Sequence, residues 1–441
     1  MKANKNYILK AYQNYFFGDE GNGGLCQSVL NIPEEPLISL AETIKAAPKN
    51  SRIFFMGNGG SFDNACYCSA TMMKAGVLSN VPAMETGYSG IAVEEGYELI
   101  YKKGLELSGL TKDDIIIGLS GSGNSENICR ALNFALEKNA TIYCFGGRDG
   151  GKMAKICGAQ NSIIVNNEIM EAIEDLHLIV LRFLVQLIQD EKQTLEKQKS
   201  DFTTKLTSFF EKNNEDAFSC LVNSVLNTIN EESRLFVLGH TVGANHFRAD
   251  MMRGATNTIP IRGISAPELT TINSFQATAN DDGLDFTLIK GLVKNNPTKN
   301  DFALLFSLPG AENMQRLCED ELRERGVSFI KIGDIPPSDK AIDLSFFKEF
   351  DIDFAITLLG HATSTVINGF LMNLWKIEPL ELQQLEGLKK NRKLDKKATL
   401  NLENTLRKNG VLSEERMVTF CYGKTFSAIK PPDCKASRSF Y

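Results

Sequence analysis

Short apolar runs alternate with stretches of helical spacing along most of the chain. Runs at 53–56, 115–119, 141–145 and 162–165 are apolar on nearly every position, the pattern of strands buried on both faces. Three more lie at 235–238, 303–306 and 328–332. Between them, segments such as 125–138 and 312–325 place apolar residues three and four apart, which predicts helices. Helices are also predicted at 33–47, ahead of the first set, and at 216–229, ahead of the second. Strand–helix alternation of this kind predicts parallel sheets covered on both faces. After Pro379 the pattern changes. The segment 380–409 is rich in Lys and Glu with Leu at helical spacing, and Pro431-Pro432 follows, so a surface helix and then a tail packed across the body are expected.

The two sets are copies. Ser51-Arg-Ile-Phe-Phe-Met-Gly57 matches Ser233-Arg-Leu-Phe-Val-Leu-Gly239 at an offset of 182, and Thr111-Lys-Asp-Asp-Ile matches Thr298-Lys-Asn-Asp-Phe at 187. The second offset persists through Ser120 and Ser307, Gly123 and Gly310, Gly146 and Gly333. A period this long marks a duplicated domain, not a solenoid. The expected division is 1–190, 191–378 and a C-terminal tail at 379–441.

Charge narrows the function. The 441 residues carry a net charge of -6, and a general nucleic-acid binder is usually basic, so no nucleic-acid partner is expected. No membrane partner is expected either: no apolar run is expected to reach the roughly 18 residues that cross a bilayer, and the stretch read as richest, 176–188, is broken by Arg182 and Gln186. The first residues lack the apolar core of a secretory signal. The 10 cysteines are scattered, with Cys66-x-Cys68 as their close pair. They read as reduced core filler in a cytoplasmic protein.

Two glycine-rich loops carry the candidate chemistry. Gly57-Asn58-Gly59-Gly60-Ser61 ends one strand and opens a helix. Its glycines turn the backbone tightly, and the helix adds the positive end of its dipole, which makes an anion site. Ser120-Gly121-Ser122-Gly123-Asn124-Ser125 follows another buried strand. In open α/β sheets ligands bind in the crevice at the strands' carboxyl ends. No lysine follows as in a P-loop, and neither loop spells G-x-G-x-x-G. A small sugar phosphate held by hydroxyls and amides fits better than a nucleotide. His240 sits in the corresponding loop of the second copy, and His246 in the next helix; either has the reach to face a pocket between the copies.

These loops, with Gly147-Arg-Asp-Gly-Gly-Lys-Met-Ala154, resemble the sugar isomerase (SIS) domain family, and within it the phosphoheptose isomerase branch. The resemblance covers roughly residues 30–190, and the second copy is a more degenerate version. It implies two tandem three-layer αβα SIS domains with five-stranded parallel, flavodoxin-like sheets, followed by the helical tail. It implies phosphate held by Ser61, Ser120, Ser122 and Ser125. The isomerase branch holds a metal through His and Glu after the first loop and Gln and His on a late helix. Here those positions read Tyr67, Thr71, Glu174 and Arg182, and the second copy offers Ala249 and Arg253. No family-type zinc site and no cofactor are therefore expected; a set rebuilt from His240, His246 and Glu174 is the one route left to a metal.

Isomerisation of a sugar phosphate needs a base and a group that stabilises an enediolate oxygen. The resemblance puts the late helix beside the sugar pocket. Glu174 is the first candidate base and Glu171 the second, the alternative being a solvated acidic first turn. His177 is an acid–base candidate or, more readily, a core histidine. The expected function is a metal-independent aldose–ketose isomerase. The alternatives are a non-catalytic sugar-phosphate sensor and an aminosugar-phosphate lyase or deaminase. A homo-oligomer, a dimer of pseudo-dimers, is the expected assembly.

Overall fold

The computed structural model describes residues 2–374, apart from 20–22, 83–85, 191, 193, 231–232, 253–254, 256–263 and 349–350. The predicted helix at 380–409, the tail and Arg253 lie outside the described residues.

The chain opens with α1 (Lys5–Phe17), α2 (Gly24–Leu30) and α3 (Glu34–Ala46). The first copy follows: β1 (Ile53–Met56), α4 (Gly60–Lys74), β2 (Ser79–Asn80), α5 (Thr86–Glu94), α6 (Ile100–Leu107), β3 (Ile115–Ser120), α7 (Glu126–Glu137), β4 (Thr141–Gly147), α8 (Gly151–Cys157), β5 (Ser162–Val165) and α9 (Met170–Gln189). Next come α10 (Leu195–Lys212) and α11 (Glu215–Asn230). The second copy holds β6 (Leu235–Leu238), α12 (Val242–Met252), α13 (Ile272–Asp281), α14 (Phe286–Lys294), β7 (Phe302–Ser307), α15 (Glu312–Glu324), β8 (Ser328–Gly333), β9 (Ala341–Asp343) and α16 (Ile352–Leu374).

The first sheet is parallel in the order β2-β1-β3-β4-β5, the flavodoxin-like order. The second departs from the expectation of five strands. Among the described residues it has four, in the order β6-β7-β8-β9. The place of the fifth is held by a single parallel bridge between Arg234 and Ser265. The Leu235 amide donates to the Ser265 carbonyl there at 2.8 Å, as Ile53 does to Leu78 in the first copy. Pro267, two residues on, has no N–H with which to continue a ladder.

Strand residues alternate between two cores. Phe55, Ile117 and Phe145 of the first sheet and Val237, Leu304 and Ile332 of the second face one shared core that also takes in α9 and α16. Phe54, Ile116 and Cys144 face an outer core under the first copy's helices, and Phe236, Ala303 and Leu305 a second one. The first helices do not stay with their own copy. Helix α1 packs on α11 and α16, whereas α10 packs on α2 and α9. Edge contacts such as Phe16–Phe209, with ring centroids 6.1 Å apart, tie α1 to α10. The expectation that no apolar run is long enough to cross a bilayer is corrected by α16, which holds a 20-residue stretch long and apolar enough, 78% of it buried inside the protein.

One side-chain motif is repeated in both copies. Arg52 donates to both Asp114 oxygens, at 3.1 and 2.6 Å, and to the Ser108 and Gly109 carbonyls. Arg234 does the same to Asp301, at 3.2 and 2.8 Å, and to the Asn295 and Asn296 carbonyls. Each guanidinium also lies 4.9 Å from the ring two residues later, Phe54 or Phe236. The motif clamps β1 to the loop before β3, and β6 to the loop before β7.

Burial alone opposes ionisation of Asp114 and Asp301, but the hydrogen bonds from Arg52 and Thr111, and from Arg234 and Thr298, outweigh it and lower both pKa values. A lowered carboxyl pKa adds stability that is complete above the unfolded value of ~4 and is lost as pH falls through the folded value. Asp114→Asn and Asp301→Asn should each cost about 2 kcal/mol at pH 7 by urea unfolding. The difference from the unsubstituted protein should shrink below about pH 4. A gap that is unchanged at low pH would show that the carboxylate charge is not what the clamp uses.

Candidate active site

A cavity of about 130 Å³ opens at the carboxyl ends of β1 and β3. It is lined by Asn58, Ser61, Leu119, Ser120, Gly121, Ser122, Ser125, Met170 and Glu174. Most of the residues singled out in the two loops thus meet in one place, and Glu174 joins them from the first turns of α9. Ser125 precedes α7 without capping it. Its hydroxyl turns instead to that of Ser120, at 3.0 Å. Asn58 exchanges two hydrogen bonds with Asn127, at 2.9 and 2.8 Å, which pins the first loop to α7.

The remaining loop residues shape the cavity. Gly59 holds φ at 59°, a conformation that favours glycine. A Cβ on Gly60 would lie 2.1 Å from Glu174 Oε2 and 2.8 Å from His246 Nε2, and one on Gly57 would lie 2.0 Å from the Ser61 carbonyl oxygen. Asn124 does not line the cavity. Its amide donates to the Ser122 carbonyl at 2.7 Å, and its carbonyl accepts from the Lys152 amide at 3.2 Å, so the third motif buttresses the second loop.

Behind Glu174 lies a buried polar cluster drawn from both copies. Glu174 Oε2 is 3.8 Å from His246 Nε2 and 3.5 Å from His361 Nε2. The two Nε2 atoms are 3.1 Å apart. Asp250 Oδ1 is 3.8 Å from His246 Nε2, and its Oδ2 is 3.6 Å from His361 Nε2. His361 Nδ1 lies 2.6 Å from Asp175 Oδ1, and the Tyr15 hydroxyl donates to Asp175 Oδ2 at 2.6 Å. The side chains of His361 and His246 are 0% and 2% exposed, and those of Glu174 and Asp250 13% and 14%.

Charge is distributed unevenly in this cluster. Burial opposes ionisation of Glu174, yet His246 and His361 hold its pKa at about 2. Burial would lower both imidazoles, but Asp175 and Asp250 raise His361 well above its usual range, and Asp250 and Glu174 raise His246. Burial pushes Asp250 up to about 6. It also raises Glu171, which stands one turn before Glu174 and does not line the cavity.

The structure places two of the candidate histidines away from the cavity. His240 does not reach the cluster or the cavity. Its Nε2 is 2.9 Å from Thr287 Oγ1 and its ring packs on Phe275, so it closes the second copy's own loop. His177 is wholly buried beside Phe145, with burial pushing its pKa down to about 4, and it does not line the cavity. At the family-type metal positions, the Tyr67 hydroxyl donates to Asp351 at 3.4 Å and Thr71 donates back to the Tyr67 carbonyl at 2.8 Å. The rebuilt metal set is corrected in one member, because His361 stands where His240 was expected. Residues the sequence reading missed are His361 as a partner of Glu174, Asp250, Asp175 and Tyr15. One signal was present: His361 lies 187 positions after Glu174, the offset that relates the copies.

The second copy's equivalents of the phosphate loops are filled by protein. The Gly243 amide, at the start of α12, donates to Asp353 Oδ1 at 2.8 Å. The Ser307 hydroxyl donates to Gln315 Oε1 at 3.0 Å.

The phosphoheptose isomerase of Proteus mirabilis is 29% identical over 171 residues, 36% of this chain and 84% of that protein. That of Vibrio vulnificus is 28% identical over 191 residues, 41% of this chain and 91% of its own length. Among solved structures, tagatose-6-phosphate ketose/aldose isomerase from Escherichia coli matches over 85% of this chain and 96% of its own, with a TM-score of 0.50 and 12% identity. The C-terminal domain of glucosamine-fructose-6-phosphate aminotransferase from Francisella tularensis matches over 83% and 98%, with a TM-score of 0.50 and 13% identity. At these identities the structures speak for the fold alone. No family model matches the chain. The sequence relatives account for somewhat more than a third of the chain, over which it is similar to phosphoheptose isomerases, and the shared fold for most of it; the chain is a member of the SIS (sugar isomerase) domain family.

Proposed function

We propose that the protein is a sugar-phosphate isomerase-like enzyme acting on an open-chain pentose, hexose or heptose phosphate. The observation that carries this reading is the cavity itself. Serine hydroxyls at two helix starts and an ionised carboxylate line the same small space. The names of the relatives, phosphoheptose isomerase, support the substrate class.

In this reading Ser61, Ser120, Ser122 and Ser125 hold the phosphate, with the amides at the starts of α4 and α7. Glu174 meets the sugar. Both of its contacts to the imidazoles use Oε2, which leaves Oε1 for the cavity. That oxygen takes a proton from the carbon beside the carbonyl and returns it to the neighbouring carbon, while a hydroxyl proton moves to the former carbonyl oxygen. Nothing is added or lost. The imidazoles oppose the negative charge that builds on oxygen. Glu171, the second candidate base, does not line the cavity and has no part in this step.

The family resemblance implies a metal. The family-type positions do not fit, because Tyr67 and Thr71 are engaged elsewhere. The donor set of Glu174, His246 and His361 does fit a divalent cation. A cation held there would polarise a substrate oxygen.

Ser122→Ala and Ser125→Ala should each weaken binding of a phosphorylated sugar by about 1–3 kcal/mol, with folding little changed. Calorimetric titration showing unaltered affinity in both would remove these serines from the site. Glu174→Gln should lower solvent deuterium uptake into the sugar phosphate, read by NMR, by roughly 100-fold or more. Thermal stabilisation by sugar phosphates with no deuterium uptake in the unsubstituted protein would favour the sensor instead.

A further inference from the structure

We propose that Tyr97 is a positioning residue of the cavity, holding the Asn58 carboxamide so that one of its N–H groups is presented to the ligand as a fixed donor. That the ligand is a sugar phosphate rests on the function proposed above; the placing of the donor does not.

The direction of every bond in this network follows from one backbone group. The Ile128 amide donates to Asn127 Oδ1 at 3.0 Å, and a main-chain N–H can only donate. That fixes which end of the Asn127 carboxamide is oxygen. Its Nδ2 then donates to Asn58 Oδ1 at 2.8 Å, and its Oδ1 accepts from Asn58 Nδ2 at 2.9 Å. The Tyr97 hydroxyl donates to the same Asn58 Oδ1 at 2.9 Å. An amide oxygen has two lone pairs, and here both are taken. Asn58 Nδ2 carries two hydrogens, of which Asn127 takes one. Asn58 lines the cavity, so the second hydrogen is what it offers there. The wall at this point donates to a ligand oxygen and does not accept from a ligand hydroxyl.

The chain around Tyr97 places it for this role. Gly96 holds φ at 107°, a conformation that favours glycine, and Tyr97 opens the short 3-10 turn Tyr97–Leu99 that leads into α6. One turn later the wholly buried Tyr101 donates its hydroxyl to the Gly57 carbonyl. Two tyrosines four residues apart therefore reach adjacent residues of the first loop. The second copy supplies the contrast. At the offset of 187, Gly96 corresponds to Gly283, with φ at 101°, but Tyr97 and Tyr101 correspond to Leu284 and Leu288. Leucine has no hydroxyl, and there His240, in the place of Asn58, pairs with Thr287 instead. The backbone turn is common to both copies, whereas the two hydroxyls belong to the copy whose loop faces the cavity.

Tyr97 is half-exposed, so its hydroxyl can be removed without opening the core. In nitrogen-15 NMR spectra of the full-length protein without ligand, the Asn58 side-chain amide, assigned by its loss in Asn58→Ala, should shift or broaden in Tyr97→Phe, with the circular dichroism spectrum unchanged. Calorimetric titration with ribose 5-phosphate, fructose 6-phosphate and sedoheptulose 7-phosphate gives the second reading. Tyr97→Phe should weaken the tightest-bound of the three by about 3- to 10-fold, the size of one hydrogen bond. In the Asn58→Ala background the same substitution should change affinity by less than about twofold, because a residue that acts through Asn58 has nothing to act on once it is gone.

An unmoved Asn58 amide in Tyr97→Phe would overturn the proposal. So would unchanged affinity for a sugar phosphate that the unsubstituted protein binds, or an equal loss with and without Asn58. A perturbed Asn58 amide with no binding of any of the three sugar phosphates would uphold the positioning role and defeat the sugar-phosphate reading alone.

Discussion

The shared apolar core between the two sheets is the constraint on which the rest depends. Neither copy can bury its inner sheet face by itself, because Phe55, Ile117 and Phe145 on one side and Val237, Leu304 and Ile332 on the other close a single core. Burial of roughly 25 cal/mol per Å² of apolar surface makes such a face costly to expose. Helices α9 and α16 are therefore pressed together, and α4 and α12 with them. The crossing of α1 and α10 reinforces the arrangement, since each helix packs partly on the other copy. The position of every polar group at this contact is then set by the packing around it.

That is why the polar cluster is both buried and ordered. A histidine pair with three carboxylates inside an apolar contact would be strongly destabilising if left unpaired. Here each imidazole has a carboxylate neighbour, and His361 is held through Asp175 to Tyr15. Tyr15 belongs to α1, so an N-terminal helix far from the loops in sequence supports the orientation of a ring on α16. The same packing admits no side chain at Gly60, where Glu174 and His246 approach the loop backbone.

Much of the fold was legible because its signals are local. The strands at Ile53–Met56, Ser162–Val165 and Leu235–Leu238 match their apolar runs end for end, since strands buried on both faces have no polar positions to blur them. The glycine and serine loops were legible for a similar reason: turn geometry and anion binding restrict which residues serve. Helices α1, α2 and α10 were not anticipated, because what makes them stable is aromatic packing between distant segments, such as Phe16 on Phe209. His361 escaped for the same reason. Its partners Glu174 and Asp175 are more than 180 residues away in sequence, and only the contact between copies joins them. His240 misled because its loop matches the phosphate loop in position but not in environment, with Thr287 and Phe275 closing around it.

The two copies have diverged in opposite directions, and each change has a physical counterpart. In the first copy the starts of α4 and α7 face a cavity lined by hydroxyls. In the second, the start of α12 is taken by the Asp353 carboxylate, an anion supplied by the chain itself, and Ser307 is tied to Gln315. A helix start already neutralised by a carboxylate has lost its attraction for a phosphate. Freed from holding a ligand at its own loops, the second copy supplies His246, Asp250 and His361 to the space behind the first copy's cavity. Position 174 and its equivalent 361, which face each other across the contact, read Glu and His. In a symmetric pair the two would be identical, and two buried carboxylates or two imidazoles would repel. Duplication within one chain removes that restriction, because each copy can vary alone. A complementary Glu–His contact beside a single cavity is what that freedom makes available.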